Sequence, residues 1–249
     1  MTSKEFVKRL KDTAALHTYY IKGGFGLVLD AKGKERVIKS YKYNADRADK
    51  IRALPDAEYF AFDCCGLIKG IIWGFIGDLN QIYGGATYKS NGLDDLGEKG
   101  LFGICNNISD DFNNIKEGEF LYMPGHCGIY IGDNKVCEST PAGACGVQIT
   151  DIKRCKWKAH GELPCIDYNV NGVPVKPVIP SFYLKQGSRG MNVYNLQRCL
   201  NFLGANLETD GVFGPKTKQA LVNFQKKYKL LVDGIYGPQS QKKLREVIG

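Results

Sequence analysis

Phe62-Asp63-Cys64-Cys65-Gly66-Leu67-Ile68, followed by apolar Ile71, Ile72 and Phe75, reads as the opening of a buried helix. Asp63 is a good capping residue, which places Cys64 in the first turn. Free amide N–H groups and the helix dipole at that end favour a thiolate. Cys65 is an alternative nucleophile, but its neighbouring position would aim it differently. The second decisive stretch, Gly125-His126-Cys127-Gly128-Ile129-Tyr130-Ile131-Gly132, is a predicted strand carrying one of the three histidines of the chain. A thiol at a helix start and an imidazole on a strand are the two parts a cysteine hydrolase needs.

Side chains alternate along that strand, so His126, Gly128 and Tyr130 share a face. Gly132-Asp133-Asn134 is a turn. A three-residue loop would set Ile131 opposite Lys135 and Gly128 opposite Glu138, one diagonal from His126. A two-residue turn would send Glu138 to the other face. In the first register Cys64 attacks an amide carbonyl, His126 manages its proton, and Glu138 orients and charges His126. His17 and His160 lack comparable settings. Further helical periodicity runs through Phe6, Val7, Leu10, Ala14 and Leu16, and further strands are expected at 120–123 and 135–139. Helices first and a meander after give an α+β fold, with the sheet packed on the Cys64 helix.

The 249 residues, 43% hydrophobic, suit one large domain or two smaller ones. No apolar run is long enough to span a membrane, and 1–9 is charged and amphipathic, with no signal-peptide core. Nine cysteines, an odd number without a paired framework, read as reduced thiols. Cys145, Cys155 and Cys165 recur every ten residues but lack the tight pairs of a zinc site, so no metal or cofactor is expected. The charge is uneven: 181–249 holds 11 Lys+Arg against 4 Asp+Glu, whereas 1–180 holds 23 against 22. A basic tail on a neutral body suits a polyanionic partner. Nucleic acid is disfavoured, because the tail has no exposed aromatic stacking runs.

Pro174, Pro177 and Pro180 mark 168–182 as an extended linker between domains at 1–167 and 183–249. The tail repeats itself: Asp210-Gly211-Val212-Phe213-Gly214-Pro215 is echoed by Asp233-Gly234-Ile235-Tyr236-Gly237-Pro238. Each copy makes a turn, plugs the core with an aromatic and opens a helix at Gly-Pro, giving a small three-helix, all-α module. With Leu184-Lys185-Gln186-Gly187, Gly190, Leu196-Gln197, Ala220-Leu221 and Phe224-Gln225, these residues resemble the short peptidoglycan-binding domain appended to many wall hydrolases.

Asp63-Cys64-x-Gly66-Leu67-Ile68 and His126-x-Gly128-Ile129-Tyr130-Ile131-Gly132 resemble the signature of NlpC-type cysteine peptidases, papain-like hydrolases of peptidoglycan. The resemblance implies a papain-like domain with Cys64, His126 and Glu138 as its triad. The third position more often holds His, Asn or Gln in that family, so Glu138 is a departure. Tyr19-Tyr20-Ile21-Lys22-Gly23-Gly24 resembles the family's entrance motif and would put the Tyr20 hydroxyl near the oxyanion. Relative to the family, 25–60 and 77–114 read as insertions, the first a candidate wall of the substrate groove.

Together the resemblances imply a hydrolase of the peptidoglycan stem peptide, cutting between D-glutamate and the diamino acid. The alternative is an N-acetylmuramoyl-L-alanine amidase with the same Cys/His machinery; from another class, a non-catalytic wall-binding protein, which intact Cys64 and His126 argue against. One catalytic and one wall-binding domain without a leader fit a phage endolysin, kept in the host cytoplasm until release and acting on a Gram-positive wall.

Overall fold

The computed structural model describes residues 1–168, 177–181 and 183–248. Most of the expected linker, 169–176 and 182, lies outside these described residues. The chain divides into two compact units, Met1–Tyr88 with Asp95–Tyr168, and Lys89–Asp94 with Asn169–Gly249.

The first unit opens with α1 (Ser3–Ala14), capped by the Thr2 hydroxyl, which accepts from Glu5 N; it turns Phe6, Val7 and Leu10 inward. β1 (Thr18–Tyr20), β2 (Phe25–Val28), α2 (Ala31–Ser40), α3 (Lys42–Ala45), α4 (Ala48–Arg52) and β3 (Phe60–Phe62) follow, then α5 (Cys64–Ile72). β3 is the centre of a three-stranded sheet, parallel to β1 and antiparallel to β2. Then come α6 (Glu98–Gly103), β4 (Asn106–Ser109), β5 (Phe120–Met123), β6 (His126–Tyr130), β7 (Lys135–Thr140), β8 (Gly146–Asp151) and β9 (Ala159–Glu162). These six strands form an antiparallel sheet in the order β4-β9-β5-β6-β7-β8. α5 lies against β6 and β7. Leu67, Ile68 and Ile71 from the helix, and Cys127, Ile129 and Cys137 from the strands, are all fully buried. The fold is therefore mixed α+β with an antiparallel sheet.

The first sheet was not foreseen. Its strands have three or four residues, too few for alternation to register. The stretch 25–60, read as an insertion, supplies β2, the helices after it and the start of β3, and its Leu27, Leu29, Val37, Ile38 and Ile51 share a core with Ala61. Within 77–114, α6 and β4 are built, and β4 forms a sheet edge. Leu16 and Phe75 lie beyond the ends of their helices. Phe75 is buried all the same, edge-on to Phe60 and Phe62 at 4.9 and 5.0 Å.

The second unit carries α7 (Met191–Phe202), α8 (Pro215–Lys227) and α9 (Pro238–Ile248). They close over Leu196, Leu200, Phe213, Leu221, Tyr236 and Leu244. One buried glutamine organises each copy of the repeat. Gln197 donates to Asp210 Oδ1, the Val212 carbonyl and Thr217 Oγ1, and accepts from Gly211 N. Gln225 does the same with Asp233 Oδ1, the Ile235 carbonyl, Ser240 Oγ and Gly234 N. Both glycines have positive φ, 70° and 67°, which the turn requires. Among the described residues no helix is long and apolar enough to cross a membrane.

Candidate active site

The site is built on the start of α5. Asp63 is extended, and its Oδ1 accepts from Gly66 N at 2.6 Å, closing the helix cap. Its Oδ2 accepts from Gly23 N at 2.7 Å, while Asp63 N donates to the Gly24 carbonyl at 3.0 Å. Burial first, and then the charge of Cys64, raise this carboxyl to about 6 against those two amide bonds. The approach is close enough to demand glycine: a Cβ on Gly66 would stand 1.7 Å from the Gly24 oxygen. The turn at 23–24 and the helix that carries Cys64 are thereby locked together.

His126 opens β6, directly after Pro124-Gly125, where Gly125 has φ 83°. β6 and β7 pair with Ile129 opposite Cys137 and Tyr130 opposite Val136. This is the register of a three-residue loop; Gly132, Asp133 and Asn134 all have positive φ, and Ile131 N donates to the Lys135 carbonyl at 2.9 Å. Continued one residue past Ile129 and Cys137, it sets Gly128 against Glu138 and turns Glu138 to the His126 face. His126 Nε2 lies 2.5 Å from Glu138 Oε2. Because Nε2 is engaged there, Nδ1 is the nitrogen left for Cys64, whose side chain and charge raise the His126 pKa.

The electrostatics follow. Hydrogen bonds from Cys127 and Cys65, then the bond and charge of His126, outweigh burial and hold the Cys64 thiol far below the ordinary cysteine value. Burial pulls His126 down, but its bonds to Cys64 and Glu138 prevail and raise it to about 9. Glu138 is fully buried, yet its bonds to His126 and Thr150 and the charges of His126 and Arg154 hold it below the usual carboxylate range. The two shifts run in the directions that favour a thiolate on Cys64 and a charged ring on His126.

Three neighbours escaped the sequence reading. Thr150 Oγ1 and Arg154 Nη1 donate to Glu138 Oε1 at 2.5 and 2.6 Å. Trp157 stacks on His126, with centroids 5.6 Å apart and planes 21° from parallel. A Cβ on Gly128 would press on Val136 at 2.6 Å and Trp157 at 3.3 Å, so glycine there keeps the stack. Thr150 could have been found from the β7–β8 hairpin; Arg154, at the end of a 3-10 turn (Ile152–Arg154), and Trp157 beyond it carry no pattern.

Tyr20, on β1 opposite Phe62, is half-buried, and burial followed by the Cys64 charge raises its pKa. Its ring meets Tyr43 edge-on at 5.9 Å. Cys65 points inward, its Sγ 3.6 Å from that of Cys127; the bond from Cys127 lowers its pKa, but the bond with Cys64, burial and nearby negative charge raise it further. His17 stacks on Tyr59. His160 is buried, with Nδ1 on the Glu119 carboxylate and Nε2–H donating to the Asp111 carbonyl at 3.0 Å, which leaves no nitrogen for a thiol.

Residues 189–244 match the family described as "Putative peptidoglycan binding domain". Over 67 residues, 26% of this chain and 26% of the relative, the chain is 43% identical to a zinc D-Ala-D-Ala carboxypeptidase of Streptomyces albus G. Over 64 residues, 24% of this chain and 18% of the relative, it is 42% identical to a probable N-acetylmuramoyl-L-alanine amidase of Bacillus licheniformis. The chain thus spans about a quarter or less of the length of these curated relatives. Among solved structures, NlpC2 of Trichomonas vaginalis matches with TM-score 0.34 and 12% identity over 65% of this chain and 46% of that one.

Proposed function

We propose that this protein is a peptidoglycan hydrolase whose papain-like domain, residues 1–167, cleaves an amide bond of the stem peptide by cysteine catalysis, anchored by the binding domain at 183–249. The observation that carries the reading is His126 held between the Cys64 thiol and the Glu138 carboxylate at a capped helix start. The Cys64 thiolate attacks the amide carbonyl and forms a thioester, while His126 gives its proton to the departing amine. Water then attacks the thioester, His126 takes a proton from it, and Cys64 leaves as the thiolate. Glu138 holds His126 in line and stabilises its charge. We assign the Tyr20 hydroxyl to the oxyanion, a role supported by the influence of the Cys64 charge on it.

The bond cleaved is the one between D-glutamate and the diamino acid of a Gram-positive wall, as an endolysin released from the host cytoplasm would cut it. A muramoyl-L-alanine amidase is the second reading, since the same charge relay serves either amide. Mass spectrometry of wall fragments released by the wild type and by Cys64→Ala decides. Free amino groups on the diamino acid are expected. Free N-terminal L-alanine would replace the endopeptidase with the amidase, and products independent of Cys64 would sink cysteine catalysis altogether.

A further inference from the structure

We propose that Cys64, Cys65 and Cys127 form a binding site for one soft divalent cation, Zn2+ or Cd2+. Their sulfurs all lie within 4.8 Å of one another. Cys64 Sγ is 3.9 Å from Cys65 Sγ, which is 3.6 Å from Cys127 Sγ. A zinc–sulfur bond of about 2.3 Å puts neighbouring corners of a tetrahedron roughly 3.8 Å apart. Two of the three sulfur pairs already stand near that spacing, and the third lies within 4.8 Å. Cys65 and Cys127 are buried, and Cys64 is half-buried. The open side is therefore at Cys64, where a solvent ligand completes the tetrahedron. Cys65 and Cys127 release their protons as they bind, as thiols do on ligating a metal. Hard cations such as Mg2+ and Ca2+ are excluded by the all-sulfur donor set.

A rival group stands next to it. His126, Glu138 and Cys155 also offer ligand atoms within 4.8 Å of one another. There Glu138 Oε1 is already taken by Thr150 and Arg154, and the Arg154 guanidinium at 2.6 Å repels a cation. Among the described residues His126 is the one cationic neighbour that lowers the Cys64 pKa, and it gives way to the metal when the ion arrives. Occupancy ties up the Cys64 lone pairs and stops hydrolysis. That consequence rests on Cys64 being the nucleophile; the binding does not.

The test uses the full chain kept reduced with a phosphine. Cd2+ is titrated while the thiolate-to-cadmium absorption is followed, and Zn2+ affinity is read by competition with a chromophoric chelator. Wall hydrolysis is assayed in parallel. One ion per chain is expected. Cys127→Ala and Cys65→Ala should each weaken Zn2+ binding about 100-fold or more, since even outer-shell partners are worth roughly 10- to 100-fold. Cys155→Ser should change nothing. Zn2+ should stop wild-type hydrolysis, and EDTA should restore it. Absence of the cadmium band, unchanged affinity in both thiol variants, or loss on Cys155→Ser would overturn the site. Tight binding with undiminished hydrolysis would uphold the site and refute Cys64 as nucleophile.

Discussion

Glu138→Gln is the substitution that interrogates the site most sharply. The carboxylate has two oxygens in two jobs: Oε2 meets His126, and Oε1 takes Thr150 and Arg154. An amide has only one acceptor. The charged Arg154 donor wins it, because hydrogen bonds to charged groups are the stronger ones. The NH2 group then faces Nε2 and donates to it, so the ring must carry its proton on Nδ1, toward Cys64. A neutral ring in that tautomer cannot take the thiol proton. The rise of His126 from 6.5 to about 9 represents roughly 3 kcal/mol of preference for the charged ring, at about 1.4 kcal/mol per pH unit. Cys64 and Glu138 share it, and the swap removes one contributor and fixes the wrong tautomer. Wrong-tautomer substitutions at a triad carboxylate reach about 10,000-fold, so a loss of kcat/KM near a thousandfold is expected on a soluble stem peptide. Alkylation of Cys64 by iodoacetamide, followed against pH, reads the thiolate directly; its reactive limb should move up toward the ordinary thiol range. A variant with wild-type alkylation and a rate within a factor of about two would refute the reasoning.

The wild-type rate should fall as pH rises past about 9, where His126 loses the proton that the departing amine needs. Because the folded value lies above 6.5, the His126 contribution to stability is complete below pH 6.5 and is lost on the same rise, which chemical denaturation at pH 6 and pH 10 would reveal. Gly66→Ala forces a methyl to 1.7 Å from the Gly24 oxygen, so urea unfolding should show a loss of roughly 3 kcal/mol, near the upper end for overpacking. Gln225→Ala strands Asp233, Ile235, Ser240 and Gly234 at once and should destabilise the second unit by about 2 to 3 kcal/mol in thermal unfolding of the full chain. Gln219→Ala, which loses only an exposed bond to Asn223, should leave the melting temperature unchanged.

Local chemistry was legible; distant partners were not. Asp63 announces the start of α5 because capping is decided within four residues. Gly132-Asp133-Asn134 announces the β6–β7 turn, but only the fold, with positive φ at all three residues, selects the three-residue loop over the two-residue one. The glutamines of the repeat are visible as part of a pattern, though only the fold shows that they bind the Asp-Gly turns. The β1–β3–β2 sheet escaped because its strands are too short to display a period, and the helices between them made 25–60 look like an excursion. Arg154 and Trp157 escaped because a salt bridge or a ring stack across β7 and β8 leaves no trace in sequence spacing.

A charged Cys64, His126, Glu138 and Arg154 would alternate in sign, minus, plus, minus, plus, with Glu138 bonded to both His126 and Arg154. A line of that kind sums to zero, and its potential dies away within a few ångströms, well inside the Debye length of about 8 Å at physiological salt. The chemical centre thus has no reach into solution and cannot draw an anionic wall toward itself. Long-range attraction falls to residues 181–249, which hold seven of the eight net positive charges. Ionic strength should therefore govern how often the protein arrives at the wall, and hardly at all how fast it cuts once there.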